Sequence, residues 1–129
     1  NLMETTKISL SKGVYGLIKD HLKSKNKLSE YNRSKLEHEL KYANVIPAKS
    51  IPENIVSINT NVQVRDTETS ELLCFGLVEP SEARIKYNKV SILSAIGLAL
   101  LGYGVGDEVS WEMPEGIKTY KIEEVSGIE

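Results

Sequence analysis

Few side chains in this sequence are arranged for covalent or metal chemistry. Its two histidines, His21 and His38, lie in helical stretches without a cysteine or a convergent carboxylate to complete a metal site. A zinc site needs three or four such ligands brought together. The single cysteine, Cys74, sits in an apolar run and reads as a small buried hydrophobe. No Ser-His-Asp or Cys-His spacing marks a nucleophile with its base. Gly102, Gly104 and Gly106 have the composition of a phosphate cradle, but they follow a helix instead of opening one. They lack the helix N-terminal amides such a site uses, and a C-cap with a turn is the better reading. What remains is charge. Lys19, Lys23, Lys25, Lys27 and Arg33 form a basic cluster suited to nucleic acid or to acidic protein walls. A solvated helix face accounts for the same lysines, and no aromatic lies among Lys23–Lys27 to stack on a base. No catalytic residue, metal or cofactor is expected.

The 129 residues are 40% hydrophobic and 26% charged, which describes one globular unit or a core with an appendage rather than a disordered chain. A lone cysteine excludes an internal disulfide framework and suits a reducing cytoplasm. Residues 2–10 are interrupted by Glu4, Thr5, Thr6 and Lys7 and resemble no signal peptide. No run reaches the roughly 18 apolar residues of a membrane span, so a cytoplasmic location without membrane association is expected. Asn1 and Leu2 precede Met3 and read as an addition ahead of it. The net charge of -2 hides an asymmetry: residues 1–50 hold ten Lys/Arg against five Asp/Glu, and residues 51–129 six against thirteen. Two parts with different surroundings are implied.

The positioning elements follow from periodicity. Val14, Leu17, Ile18, His21 and Leu22 have helical spacing after Ser9 or Ser11 as candidate caps, and Ser29 can cap a second helix carrying Leu36, Leu40 and Ala43. The polar stretch Lys23–Lys27 separates them. Both apolar stripes are narrow, so the helices are expected to pair with each other as an antiparallel hairpin over residues 1–46. Pro47 and Pro52 bar the helix from continuing, which makes 47–52 a linker and 53–129 a second domain. From Val56 the period becomes two, through Ile58, Thr60, Val62 and Val64, with a turn at Asp66–Thr69 and a second strand over Leu72–Val78. Lys89–Leu93 forms a strand, and Ser94 caps a short apolar helix over Ala95–Leu101. Val109–Met113 and Ile117–Val125 form a closing hairpin. The order β-β-β-α-β-β describes an α+β fold, a twisted antiparallel sheet covered by one short helix.

The stretch Val90–Glu108, VSILSAIGLALLGYGVGDE, resembles the C-terminal domain of the transcript-cleavage factors GreA and GreB and their relative Rnk. There a strand leads into Ser-Pro-(Ile/Leu)-Gly-x-Ala-Leu-(Leu/Ile)-Gly, followed by x-x-x-Gly-Asp. Ser94, Ile96, Gly97, Ala99, Leu100, Leu101, Gly102, Gly106 and Asp107 match, and Ala95 stands where the family usually has proline. The segments Ile46–Pro52, Asp66–Glu71 and Val109–Val125 extend the likeness. It implies an FKBP-like sheet domain preceded by a coiled coil, and the short hairpin looks closest to Rnk-like proteins. It further implies binding to bacterial RNA polymerase. The corner Leu93, Ser94, Ala95 and Ile96 would meet the rim helices of the largest subunit, near the secondary channel. The cleavage factors carry acidic residues at the hairpin tip that help hold a catalytic Mg²⁺, which needs hard carboxylate oxygens. Here the tip is lysine-rich, and Asp20 and Glu30 only flank it. The expectation is a non-catalytic transcription regulator that competes with cleavage factors, with nucleic-acid contact at most indirect or non-specific. Two alternatives stand beside it. One is a regulator binding nucleoside diphosphate kinase, as Rnk-like chains are named for. The other is a prolyl isomerase of FKBP type, whose pocket would have to be built from Phe75, Tyr87, Tyr103, Trp111 and Tyr120.

Overall fold

Ile8 and Leu10 are both buried at a spacing of two, and the chain around them is extended as β1, Ser9–Ser11. The computed structural model describes residues 7–128, so the addition expected ahead of Met3 lies outside the described residues. Of the two candidate caps, Ser11 does the capping. Its hydroxyl oxygen accepts from the Val14 amide at 3.2 Å and opens α1, Lys12–Lys23. Ser29 accepts from the Asn32 amide at 3.1 Å and opens α2, Glu30–Tyr42. The last expected residues of the hairpin are extended instead: β2, Asn44–Ile46, runs parallel to β1 and closes the base of the helix pair.

The turn Ala48–Ser50 between the two prolines is a single 3-10 turn. The period-two pattern after it holds only in part. β3 runs Thr60–Asp66 with Thr60, Val62, Val64 and Asp66 buried, but it does not start at Val56. Asn59 is left-handed at φ 64° and breaks the extension. Val56 bonds elsewhere, donating to Tyr103 O at 2.8 Å and accepting from the Gly102 amide at 2.9 Å. β4 (Leu72–Val78), β5 (Lys89–Ser91), α3 (Ala95–Leu100), β6 (Glu108–Met113) and β7 (Gly116–Gly127) complete the β-β-β-α-β-β order.

The five-stranded sheet has the order β5-β4-β3-β7-β6 and is mixed, which corrects the all-antiparallel expectation. Residues 79–88 return through two 3-10 turns, Pro80–Glu82 and Ile85–Tyr87, and bring β5 back parallel to β4. Cys74 is a second correction: it is exposed. Phe75 pairs with Val62 and Leu73 with Val64, whose side chains point inward, so Cys74 opposite Gln63 faces out. The core crosses the proline segment without interruption. Ile8, Leu10, Val14, Ile18, Leu36 and Leu40 share one cluster with Val62, Leu98, Trp111 and Ile122.

The β3–β4 turn is held by Asp66. One carboxylate oxygen accepts from the amides of Glu68 at 2.9 Å and Thr69 at 3.1 Å, and the other lies 3.0 Å from Lys118 Nζ on β7. Lys118 foremost, then the Glu68 amide, draws the Asp66 carboxyl down to about 2. A depressed folded-state value means that this contribution is present above the ordinary value of 3.8 and is lost as pH falls through about 2. Urea unfolding between pH 5 and pH 2 is expected to show a decline that Asp66→Asn flattens while lowering stability at pH 7. An equal decline in both proteins would remove Asp66 as its source.

Candidate functional site

The corner between β5 and α3 is built from local hydrogen bonds. Ser91 Oγ accepts from the Leu93 amide at 2.9 Å and Ser91 O from the Ser94 amide at 3.0 Å. Ser94 then caps α3, its Oγ accepting from Gly97 N at 3.1 Å and its carbonyl from Leu98 N at 2.8 Å. Leu93, Ser94 and Ile96 are half-buried and Ala95 is exposed, so the four expected residues form one short surface corner. Leu93 and Ile96 pack partly on the core, which stiffens the corner from beneath.

Glycine makes this position possible. A Cβ at Gly97 would stand 2.7 Å from the carbonyl oxygens of both Ser91 and Ile92, so α3 lies directly on the end of its own strand. Gly102 ends the helix at φ +89°, where a Cβ would lie 2.6 Å from Ile8 Cβ. Asp107 closes the following turn by accepting from Gly104 N at 2.8 Å. The glycines and Asp107 are therefore a cap and turn, and the phosphate reading has no support from this arrangement.

At the hairpin tip Lys19, Lys23, Lys25 and Lys27 are all exposed. Asn26 gives the loop its shape, donating to His21 O at 2.8 Å and Ser24 O at 2.9 Å while accepting from Leu28 N at 3.1 Å. Arg33, counted with the basic cluster, is used internally: it donates to Leu22 O at 3.0 Å and Asn26 Oδ1 at 2.9 Å. The lysines are displayed and the arginine holds the loop that displays them.

The helix pair does not stand clear of the sheet domain. Asn32 is 5% exposed and bonds the Glu112 backbone in both senses, donating to its carbonyl and accepting from its amide at 2.8 Å each. Two turns on, Glu39 accepts from the Tyr103 hydroxyl and from Lys35, whose ammonium also lies 5.2 Å over the Tyr103 ring. Burial, with Glu39 adding to it, pushes the Tyr103 phenol well above its ordinary range. Nothing in their residue types marks Asn32 or Glu39, which resemble solvated helix positions. Their only signal is spacing: with Leu36 and Leu40 they complete one helical face.

Of the five aromatics of the isomerase alternative, only Phe75 and Tyr87 border a common cleft, beside Asn61, Gln63 and Glu124. Trp111, Tyr103, Tyr120 and Phe75 are core residues, whereas Tyr87 stands in solvent. Asn32→Ala leaves the Glu112 amide and carbonyl without partners and is expected to destabilise the protein by about 1–3 kcal/mol. Urea unfolding and hydrogen exchange of the α2 amides would detect it. An unchanged midpoint with α2 still protected would show the contact to be dispensable.

Residues 51–127 match the family described as transcription elongation factor, GreA/GreB, C-terminal. The transcription elongation factor GreA of Clostridium acetobutylicum is 34% identical, over 94% of this chain and 78% of that protein. GreA of Syntrophus aciditrophicus is 33% identical, over 70% of this chain and 56% of its own length. Among solved structures, a prokaryotic transcription elongation factor GreA/GreB from Nitrosomonas europaea superposes with a TM-score of 0.68 at 34% identity. That match covers 95% of this chain and 99% of the other. Gfh1 of Thermus aquaticus, at 22% identity and a TM-score of 0.54 over 95% of this chain and all of its own, shares the fold. The family model and the GreA relatives are all described as transcription elongation factors, which lends nothing to the nucleoside diphosphate kinase alternative. The family match over residues 51–127 and the 34% identity to GreA of Clostridium acetobutylicum over 94% of the chain place this protein in the GreA/GreB family of transcription elongation factors.

Proposed function

We propose that this protein binds bacterial RNA polymerase at the mouth of its secondary channel. The corner Leu93–Ile96 would meet the rim helices of the largest subunit, with the sheet and α3 forming an FKBP-like docking domain. It acts there by occupancy, competing with cleavage factors without stimulating transcript cleavage. It is a cytoplasmic regulator, not an enzyme, and touches nucleic acid at most indirectly.

The observation that carries this reading is a pairing within one chain: a stiff, capped corner and a tip loop of displayed lysines without a carboxylate between Lys23 and Lys27. Three ammonium groups repel a divalent cation, so the tip is unsuited to delivering Mg²⁺. The anchoring of Asn32 to Glu112 shortens the reach further, because it ties the tip end of α2 to the sheet.

Aspartate is as good an N-cap as serine, so Ser94→Asp keeps α3 capped while placing a charge on the corner. It is expected to weaken binding to purified core polymerase roughly tenfold or more. Replacing Lys23, Lys25 and Lys27 together by alanine is expected to weaken it less, and stalled elongation complexes should release no cleaved transcript. Wild-type protein that core polymerase fails to retain at micromolar concentration would sink the proposal. Cleavage stimulation would sink the occupancy mechanism.

A further inference from the structure

Ile85 and Tyr87, on the turn between β4 and β5, are the two most exposed large apolar side chains described, at 87% and 66%. A mobile loop exposes such groups without consequence, but this turn is braced. Arg84 and Lys89 exchange both backbone hydrogen bonds, at 2.8 and 3.0 Å, and close the six residues into a ring. Inside it the Tyr87 amide donates to Arg84 O and the Asn88 amide to Ile85 O, each at 2.9 Å. Asn88 is left-handed at φ 60°, and its side-chain amide donates to Cys74 O while its carbonyl accepts from Gly76 N at 2.9 Å. The turn is thus stitched to β4 at two points, and it leaves Ile85 and Tyr87 exposed.

Its charge is equally local. Three of the six Lys/Arg in residues 51–129 are Arg84, Lys86 and Lys89, in a segment that otherwise carries thirteen Asp/Glu. None of the three pairs with a carboxylate among the described residues. Glu79 and Glu82 belong to the preceding turn, where the Glu79 carboxylate accepts from the Ser81 hydroxyl at 3.2 Å.

We propose that residues 84–89 form a second docking element for the polymerase, inserting Ile85 and Tyr87 into an apolar pocket whose rim carries carboxylates. The proposal rests on the polymerase reading above. Positive charge around an apolar knob selects a negatively charged rim, and a braced turn loses little conformational freedom on binding. The ring that carries the knob closes at Lys89, where the three-residue β5 begins, and the corner follows the end of that strand, which is itself about 10 Å long at roughly 3.3 Å per residue, so one partner can meet both.

The test is a titration of purified core RNA polymerase with wild type, Ile85→Ala/Tyr87→Ala and Arg84→Glu/Lys86→Glu, thermal melting confirming unchanged folding at these exposed positions. Both variants are expected to bind roughly tenfold or more weakly. The charge-reversed one should lose part of the salt dependence, and the losses should add to that of Ser94→Asp. Wild-type binding with unaltered variant affinities overturns the knob and leaves the polymerase reading standing. No wild-type binding overturns both. Self-association of the wild type that Ile85→Ala/Tyr87→Ala abolishes would assign the knob to a second copy and overturn the proposal.

Discussion

The molecule depends on how closely α3 lies against the chain on either side of it. A six-residue helix is far too short to persist on its own, because nucleation costs more than so few hydrogen bonds return. It persists here because Leu98, Ala99, Leu100 and Leu101 are each 2% exposed or less, and because Gly97 and Gly102 remove the Cβ atoms that would hold it off. At Gly97 the approach is to the carbonyls that end β5, so the same contact that seats the helix sets the corner. At Gly102 the neighbour is Ile8, and the Gly102 carbonyl accepts from the Ser9 amide at 3.1 Å. β1 is thereby held against the helix, and α1 follows directly from it.

That local origin explains what could be read from the sequence. The corner, the α3 cap, the Ser29 cap and the bonds from Asp66 to the Glu68 and Thr69 amides are set by neighbours in the chain. What escaped reading depends on partners far away. The stripe of α2 looks narrow only because two positions of its buried face, Asn32 and Glu39, are polar and matched by Glu112 and Tyr103. A periodicity argument counts such residues as solvated, since their burial is favourable only once a distant partner is in place. The direction of β5 depends likewise on a ten-residue return path, and the exposure of Cys74 on its register with Gln63.

Charge is distributed differently from hydrogen bonding. The basic helices and the acidic sheet domain are joined by apolar packing and by neutral or singly charged hydrogen bonds. Among the described residues, every ion pair stays within one part: Arg33–Glu37 and Lys35–Glu39 in α2, Arg65–Glu123 and Lys118–Asp66 in the sheet. Each ion pair across the seam would have offset one charge of either part. Left uncompensated, the asymmetry gives one molecule two faces of opposite sign, and such fields act on encounter rate and orientation more than on affinity.

The alanine at position 95 bears on how the corner keeps its shape. Proline at the first helical position restricts φ and removes an amide that has no intrahelical partner in any case. Alanine there costs no hydrogen bond, and the lost restriction has a substitute in the chain. Ser91 holds the amides of Leu93 and Ser94 through its side chain and its carbonyl, and Ser94 holds those of Gly97 and Leu98. Four hydrogen bonds from two serines therefore define the entry into α3. With Gly97 bringing the helix onto the carbonyls beneath, the corner is held by its own hydrogen bonds and by the fold rather than by a proline ring.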